Sequence, residues 1–232
     1  DDFLARKFVP SCDSLEFIIL ALSDLSMFYS LEDTEESWRI KNYILSYHCN
    51  YHRFAPKYNI LVYGNNFSMI FPRLTNYYFK GVTELYCNEL GFGLKYSHEQ
   101  KPKDLEKRGE EAAKRHARIK NDSNYNENLG YLNNIIEIAG GKNVQVILLM
   151  TPSFSSYTAN LDHDQLEKTI VTFTGLQRKY ENVIFLDMTD DKRFTEEDFW
   201  DGDHLDEIGA EKLTRILDDT LSIMPRRLRK AD

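Results

Sequence analysis

The chain has 232 residues and a formal net charge of −8, and its 42% hydrophobic and 28% charged residues are ordinary for a globular protein. An acidic chain lacks the basic surface that phosphate backbones require, so we expect no nucleic-acid partner. Its apolar runs are far too short to cross a bilayer, so we expect no membrane segment in it. Three widely spaced cysteines do not form a disulfide framework.

The first half of the chain alternates predicted strands with predicted helices. Residues 16–22 are a near-continuous apolar run of strand length, typical of a strand buried on both faces of a parallel sheet. Residues 58–63 are a second such run. Helices are predicted over residues 35–47 and 67–79. Residues 81–103, with scattered glycines and aromatics, are expected to form an irregular insertion.

The second half continues the alternation with stronger patterns. The predicted helices are 103–120, 124–139, 163–180 and 206–223, and the predicted strands are 144–150 and 183–187. Strands that alternate with helices of this length indicate an α/β fold with a largely parallel sheet. We expect one domain over residues 1–232, because the sequence contains no repeat and no low-complexity linker.

Polar residues follow three of the predicted strands. They are Ser23-Asp24 after the first strand, Thr151-Pro152 after the strand at 144–150, and Asp187 at the end of the last strand. Ligands of parallel sheets bind outside the carboxyl ends of the strands. We therefore expect a site at this edge.

The segment from Phe199 to Leu205 carries the most specific pattern in the chain. It reads Phe-Trp-Asp-Gly-Asp-His-Leu and places Asp201 and His204 three residues apart on a glycine-containing turn before a predicted helix. A carboxylate at that spacing can hold one imidazole nitrogen, which leaves the other to exchange a proton with a hydroxyl nucleophile. Asp206 is predicted to cap the helix, and Asp203 is interpreted as a turn residue that points away.

This block resembles the last sequence block of the SGNH (GDSL-like) hydrolases, in which Asp-x-x-His supplies two of three catalytic residues. The resemblance extends over most of the chain, to a bacterial branch of the superfamily. It implies a flavodoxin-like three-layer α/β/α sandwich whose first strand is missing here. By the same resemblance, Ala21-Leu22-Ser23-Asp24 stands where the family has Gly-x-Asn-Asp. Ser23 is then the expected oxyanion donor, and Tyr157 is expected to contact substrate.

The serine nucleophile of the family has no counterpart in this sequence, which contains neither Gly-Asp-Ser nor Gly-Ser-Ser. In the branch that it resembles, this serine lies in a turn upstream of the segment matching residues 15–22. We therefore expect the nucleophile upstream of this chain and a weak or inactive catalyst from the chain alone. Ser68 follows a predicted strand and opens a helix, as in a nucleophile elbow, but its spacing fits neither pattern and favours an ordinary first-turn residue.

The function implied by the resemblance is ester hydrolysis or O-acyl transfer on an acylated small molecule or glycan. His204 would be the general base, Asp201 its orienting carboxylate, and no metal or organic cofactor is needed. The main alternative is an inactive SGNH-like domain that binds a glycan or a partner. Metal-assisted hydrolysis through Asp201, Asp203 and His204 is a further alternative. A nucleotide binder is disfavoured because a Gly-rich phosphate loop is missing. The sequence leaves oligomeric state and compartment open.

Two other patterns have ordinary structural explanations. His48 and His52 lie four residues apart beside Cys49, which is suitable for a metal, but the sequence offers no further ligands and a polar helix end is favoured. The aromatic residues Tyr77-Tyr78-Phe79 and Phe92 could stack on a sugar ring, and a place in the core is the more usual role for such residues.

Overall fold

A computed structural model of the chain describes residues 1–31, 39–40, 43, 47, 67–81, 88–89, 93, 96–119 and 121–224, with the backbone alone for residues 67–70 and 73. The chain divides into two compact units, one made of Asp1–Tyr29 with Tyr96–Asp232 and the other of Ser30–Lys95. The first unit contains every described strand and the predicted site. The expectation of one domain over residues 1–232 stays a prediction.

The described strands form a small parallel sheet. Strands β1 (Phe17–Leu22), β2 (Gln145–Met150) and β3 (Val183–Asp187) pair in the order β1-β2-β3, with Leu22 opposite Met150 and Met150 opposite Asp187. All three carboxyl ends therefore lie at one edge, as predicted. The predicted strand at 58–63 lies outside the described residues.

Seven α-helices are assigned in the described ranges. They are α1 (Asp2–Phe8), α2 (Phe67–Lys80), α3 (Leu105–His116), α4 (Asp122–Gly141), α5 (Ser155–Thr158), α6 (His163–Lys179) and α7 (Glu207–Ile223). The mixed α/β character with a parallel sheet is confirmed. The predicted helix at 35–47 lies mostly outside the described residues. Of the predicted insertion at 81–103, the structure describes a short 3-10 helix, His98–Gln100, and a few flanking positions.

The central strand β2 is buried on both faces because helices pack on each side of it. Val146, Leu148 and Met150 pack with residues of α4 and α6, such as Ile136 and Phe173. The alternate side chains pack in a second cluster that contains Ile147, Leu149, Leu105, Met188, Phe194 and Phe199, together with one face of α7. β2 is therefore packed between two hydrophobic clusters, and its carboxyl end lies at the predicted site.

Strand β1 is less buried than its apolar sequence predicts. Ile19 is 41% exposed and Ala21 is also exposed, whereas Ile18, Leu20 and Leu22 pack against the first cluster. β1 pairs with one neighbour in the described sheet, and the α7 cluster includes neither Ile19 nor Ala21. The prediction of burial on both faces was therefore wrong for this strand.

None of the described helices is long and apolar enough to cross a membrane. Outside the first unit, α2 exposes Phe71, Tyr77, Tyr78 and Phe79, of which Phe79 is 85% exposed. The expectation that Tyr77-Tyr78-Phe79 belongs to a core was wrong. Phe92 lies outside the described residues.

Candidate active site

The segment from Phe199 to Asp206, here called the His204 loop, is a tight turn closed by backbone hydrogen bonds. Phe199 and Leu205 form an isolated antiparallel bridge, and the Trp200 amide donates to the His204 carbonyl over 2.9 Å. At its end, Asp206 accepts from the amides of Ile208 and Gly209, which confirms it as the cap of α7. The loop is therefore anchored at both of its ends.

Within this loop, the Asp201 carboxylate gathers three N–H groups on a single oxygen. Its Oδ1 accepts from the backbone amides of Asp203 (3.2 Å) and His204 (2.9 Å), and the Nδ1 of His204 lies 2.9 Å from the same atom. A carboxylate held in this way fixes Nδ1 as the protonated ring nitrogen and leaves Nε2 for chemistry. The Asp201–His204 contact that the sequence predicts is thus present in the structure.

Asp203 does not point away as the turn interpretation predicts. Its Oδ1 lies 3.5 Å from Nδ1 of His204, and its Oδ2 lies 3.8 Å from Nε2 of His116 on α3. The loop reverses direction between residues 201 and 204, so the side chain of Asp203 is turned toward the same imidazole. Burial raises the pKa of Asp203, but the hydrogen bond and charge of His204 together with the charge of His116 outweigh burial and hold that pKa below its ordinary value.

A contact between two glycines brings the His204 loop against α3. A Cβ placed on Gly202 would lie 2.3 Å from the Cα of Gly109, a distance at which the two backbones would have to separate. The carbonyl of Gly202 also accepts from the amide of Phe154, just after β2. These contacts explain how the loop and α3 come close enough for Asp203 to face two histidines.

A cavity of about 190 Å³ opens at the carboxyl edge of the sheet, next to the loop. Its polar lining residues are Ser23, Asp24, His116, Thr151, Ser153, Tyr157, Thr189, Asp203 and His204. Residues following all three described strands contribute to it, as the sheet topology predicts. Asp187 is not among them, and its carboxylate accepts from the backbone amide and the hydroxyl of Thr189.

Ser23 borders the cavity together with His204. Its amide donates to the hydroxyl of Ser26 over 2.8 Å, and the two hydroxyl oxygens are 3.1 Å apart. The backbone N–H is therefore occupied, and the hydroxyl is the group of Ser23 that could reach a substrate. Its role as an oxyanion donor stays a prediction. Ser68 lies in the first turn of α2.

Tyr157 lines the cavity but is 3% exposed, and its hydroxyl is shared between two side chains. It donates to Oδ1 of Asp24 over 2.9 Å and lies 2.9 Å from Nδ1 of His116. Asp24 is also 3% exposed, and its backbone carbonyl accepts from the hydroxyl of Thr169. Burial raises the pKa of both Asp24 and Tyr157. Contact of Tyr157 with a substrate stays a prediction, whereas its contacts with Asp24 and His116 are present.

His204 carries two carboxylates beside one ring nitrogen, and this sets its charge. Burial lowers its pKa, but the hydrogen bonds and charges of Asp201 and Asp203 outweigh burial and raise the pKa of His204 to about 10. Its side chain is 43% exposed, so solvent screens part of that attraction. At neutral pH the ring is an imidazolium. The ring of Tyr96 lies next to the imidazole, tilted by 43° to it, with centroids 4.9 Å apart.

Asp201, Asp203 and His204 also bring one carboxylate or imidazole atom each within 4.8 Å of one another, close enough to surround a metal ion. In the structure these groups are paired with one another, and a cation would have to displace hydrogen bonds from Oδ1 of Asp201. The geometry therefore favours orientation of His204, and the expectation of no metal stays a prediction. His48, Cys49 and His52 lie outside the described residues.

Sequence reasoning missed His116, and it missed the contacts that Asp24 and Asp203 make with other residues of the cavity. It placed Asp24 at a strand end without a role of its own, and it interpreted Asp203 as a turn residue or, in one alternative, as a metal ligand. His116 ends a helix rich in Glu, Lys and Arg, and nothing in that pattern distinguishes it from residues of a solvated helix face.

Comparison of the chain with protein-family models, with curated proteins and with solved structures gives no match.

Proposed function

We propose that this chain carries two catalytic residues, His204 and its orienting carboxylate Asp201, of an SGNH-type ester hydrolase or O-acyltransferase with a three-layer α/β/α fold. The substrate would be an acylated small molecule or glycan. The observation that carries the proposal is the 2.9 Å contact between Nδ1 of His204 and an Asp201 oxygen that two backbone amides also hold in place. This pair stands beside a polar cavity at the carboxyl edge of a parallel sheet.

Asp201 orients the ring and stabilises its positive charge, and Nε2 is the atom that would exchange a proton with the reacting groups. In acyl transfer a proton leaves the attacking hydroxyl and another is given to the leaving oxygen. His204 as an imidazolium supplies the second of these steps directly. As a general base it would act from its neutral form, whose fraction increases as the pH rises toward about 10.

Ser23 is the proposed donor to the oxyanion of the tetrahedral intermediate. Ser26 is within hydrogen-bond distance of the Ser23 hydroxyl and can donate a hydrogen bond to its oxygen, which leaves the hydroxyl hydrogen of Ser23 for the substrate. A serine hydroxyl gives one such bond. Removal of a single oxyanion donor costs about 100- to 1000-fold in rate in enzymes that rely on it.

The test is hydrolysis of short-chain aryl esters by the wild-type chain and by His204→Ala, Asp201→Asn and His163→Ala. His163 begins α6, is exposed and is the matched control. We expect His204→Ala to lower kcat on the order of 100-fold or more and His163→Ala to leave it unchanged. A fluorophosphonate probe would report whether any serine of this chain is a nucleophile. Measurable ester turnover that is equal in the wild type and in His204→Ala would exclude the proposal, whereas the absence of turnover in both would favour an inactive binding domain.

A further inference from the structure

The cavity contains a second imidazole, His116, that the proposed Asp201–His204 pair does not use. It lies at the last position of α3, and its side chain is 15% exposed. It reaches the cavity between Tyr157 on one side and Asp203 on the other. A histidine that is largely enclosed and borders the same cavity as His204 is a candidate for the reaction itself.

The bonds around Tyr157 fix which nitrogen of His116 carries the proton. Tyr157 has one hydroxyl hydrogen, and it is donated to the Asp24 carboxylate over 2.9 Å. The contact of 2.9 Å between the Tyr157 oxygen and Nδ1 of His116 must then be made by an N–H group of the histidine. In neutral His116, the Nδ1 nitrogen is therefore protonated and Nε2 has an open lone pair.

The open Nε2 of His116 faces a carboxylate and not a donor. Oδ2 of Asp203 is 3.8 Å away, beyond hydrogen-bond distance, and both atoms are acceptors while His116 is neutral. Among the described residues no N–H or O–H group donates to this nitrogen. A hydroxyl placed between Nε2 and Asp203 would satisfy the nitrogen, so the geometry suits an O–H group brought by a substrate or by water.

Burial and the neighbouring charges change the pKa of His116 in both directions. Burial lowers its pKa most, Arg115 and His204 lower it further, and Asp203 and Asp24 oppose them, with a net pKa below the ordinary value for histidine. The pKa of His204 is instead raised, to about 10. Two groups of the same type whose environments move their pKa values apart are suited to act as an acid and a base.

We propose that His116 is a second catalytic residue of this cavity, a general base that takes the proton from the hydroxyl group that accepts the acyl group. The inference rests on the proposed ester chemistry and extends it. The acyl acceptor is water or an alcohol such as a sugar hydroxyl. Because the attacking oxygen comes from the acceptor, this route requires no serine nucleophile within the chain.

The step balances with the groups present. Nε2 of His116 takes the acceptor proton while the acceptor oxygen bonds to the ester carbonyl carbon, and the carbonyl π electrons move to its oxygen, which becomes the oxyanion. As the tetrahedral intermediate breaks down, the carbonyl double bond re-forms, the carbon–oxygen bond to the leaving alcohol breaks, and His204 gives that oxygen its Nε2 proton. His116 ends as the imidazolium and His204 as the neutral ring, and exchange of protons with solvent restores both.

The size and lining of the cavity indicate which part of the substrate it holds. A volume of about 190 Å³ is smaller than the roughly 300–1,000 Å³ of pockets that enclose a drug-sized ligand. Hydroxyl side chains of Ser23, Thr151, Ser153 and Thr189 border it. It therefore suits a short acyl group with its acceptor oxygen, and the remainder of the substrate would lie outside.

The experiment compares the wild-type chain with His116→Gln, His116→Ala, His204→Gln and the control His163→Gln, using an aryl acetate with and without glycerol as acceptor. Glutamine at 116 keeps an N–H donor for Tyr157 but cannot take a proton. We expect His116→Gln to lower kcat for hydrolysis and for transfer to glycerol on the order of 100-fold. Free imidazole should restore part of the activity of His116→Ala, which a purely structural role would not allow.

The outcomes separate this inference from the function on which it rests. Loss of activity in His204→Gln with unchanged activity in His116→Gln would overturn the role of His116 and leave the ester chemistry intact. Unchanged activity in both variants would overturn both. A wild-type chain without ester turnover would also overturn the inference, because this route needs no other nucleophile. Loss in both variants, with imidazole rescue at position 116, is the result that we expect.

Discussion

The His204 loop and the group formed by Asp24, His116 and Tyr157 border one cavity but are built in different ways. In the loop, the orienting carboxylate is three residues from its histidine, and the contacts that shape the turn lie within a few residues. In the second group, here called the relay, the Tyr157 hydroxyl contacts Asp24, which is 133 residues away along the chain, and His116, which is 41 residues away. Local contacts leave a pattern in the sequence, whereas a relay assembled from three distant segments does not.

The difference extends to charge. Two carboxylates beside one nitrogen hold His204 as the cation, while burial and neighbouring cations keep His116 neutral. Asp203 lies between the two rings and contacts both. The loop and the relay are therefore complementary parts of one site. Four variants test these differences.

The largest effect is expected where the loop is anchored, at Asp206. This carboxylate is buried, caps α7, and accepts from His98 over 2.8 Å with Lys101 at 3.3 Å. Asp206→Ala would remove the cap and leave His98 and Lys101 without their shared partner, which we expect to lower the free energy of unfolding by about 4 kcal/mol. Urea denaturation measures it. Asp162→Ala, which removes the cap of α6, should cost about 1 kcal/mol; equal losses would contradict the anchoring role.

The contact between the loop and α3 is tested at Gly202. A methyl group there meets the backbone of Gly109 at 2.3 Å, so Gly202→Ala should push the loop away from α3. We expect a loss of about 3 kcal/mol in stability and a reduction in kcat on the order of 100-fold from misplacement of His204. Gly130→Ala is the control, because a Cβ there has nothing within 4 Å. Wild-type behaviour of Gly202→Ala would show that this close contact is unnecessary.

Removal of one hydroxyl tests the relay without touching the loop. Tyr157→Phe leaves the buried Asp24 carboxylate and Nδ1 of His116 without their partner, at a cost of about 2 kcal/mol in the free energy of unfolding. Thermal and urea unfolding measure it. Tyr131→Phe, which removes an exposed hydroxyl bonded to Glu127, should change stability by less than about 0.5 kcal/mol. A cost for Tyr157→Phe that is no larger than this would contradict the relay.

The smallest effect is a dependence of stability on pH that belongs to the loop, because the His204 side chain is 43% exposed and solvent screens its attraction to the two carboxylates. Because the folded pKa of His204, about 10, lies above its ordinary value of 6.5, the ring stabilises the fold fully below about pH 6.5. That contribution is lost as the pH rises toward 10. The stability difference between the wild type and His204→Gln should therefore shrink from pH 6.5 to pH 10. A difference that is constant over this range would mean that the pKa of His204 is not raised.

Much of the fold and half of the site follow from the sequence. The strands 144–150 and 183–187 and the helices 163–180 and 206–223 are recognisable because their apolar spacing repeats over many residues, and the structure places them within one or two positions. The Asp201–His204 contact is predictable because the spacing itself determines it.

The rest depends on tertiary contacts that the sequence does not encode locally. The exposure of Ile19 depends on which neighbours cover β1, and an apolar strand looks the same whether or not its outer face is covered. The direction of Asp203 depends on α3, which approaches through a contact between two glycines. His116 is indistinguishable in sequence from the solvated residues beside it until Tyr157 and Asp24 are brought to it.

The most direct test of this account is an NMR measurement of the two imidazoles in the wild-type chain, assigned with His116→Gln and His204→Gln. Nitrogen–proton correlation spectra give both the charge and the protonated nitrogen of each ring. At pH 7.5 we predict that His204 is an imidazolium and that His116 is neutral with its proton on Nδ1. A neutral His204, or a His116 protonated on Nε2, would contradict the assignment of one histidine as acid and the other as base.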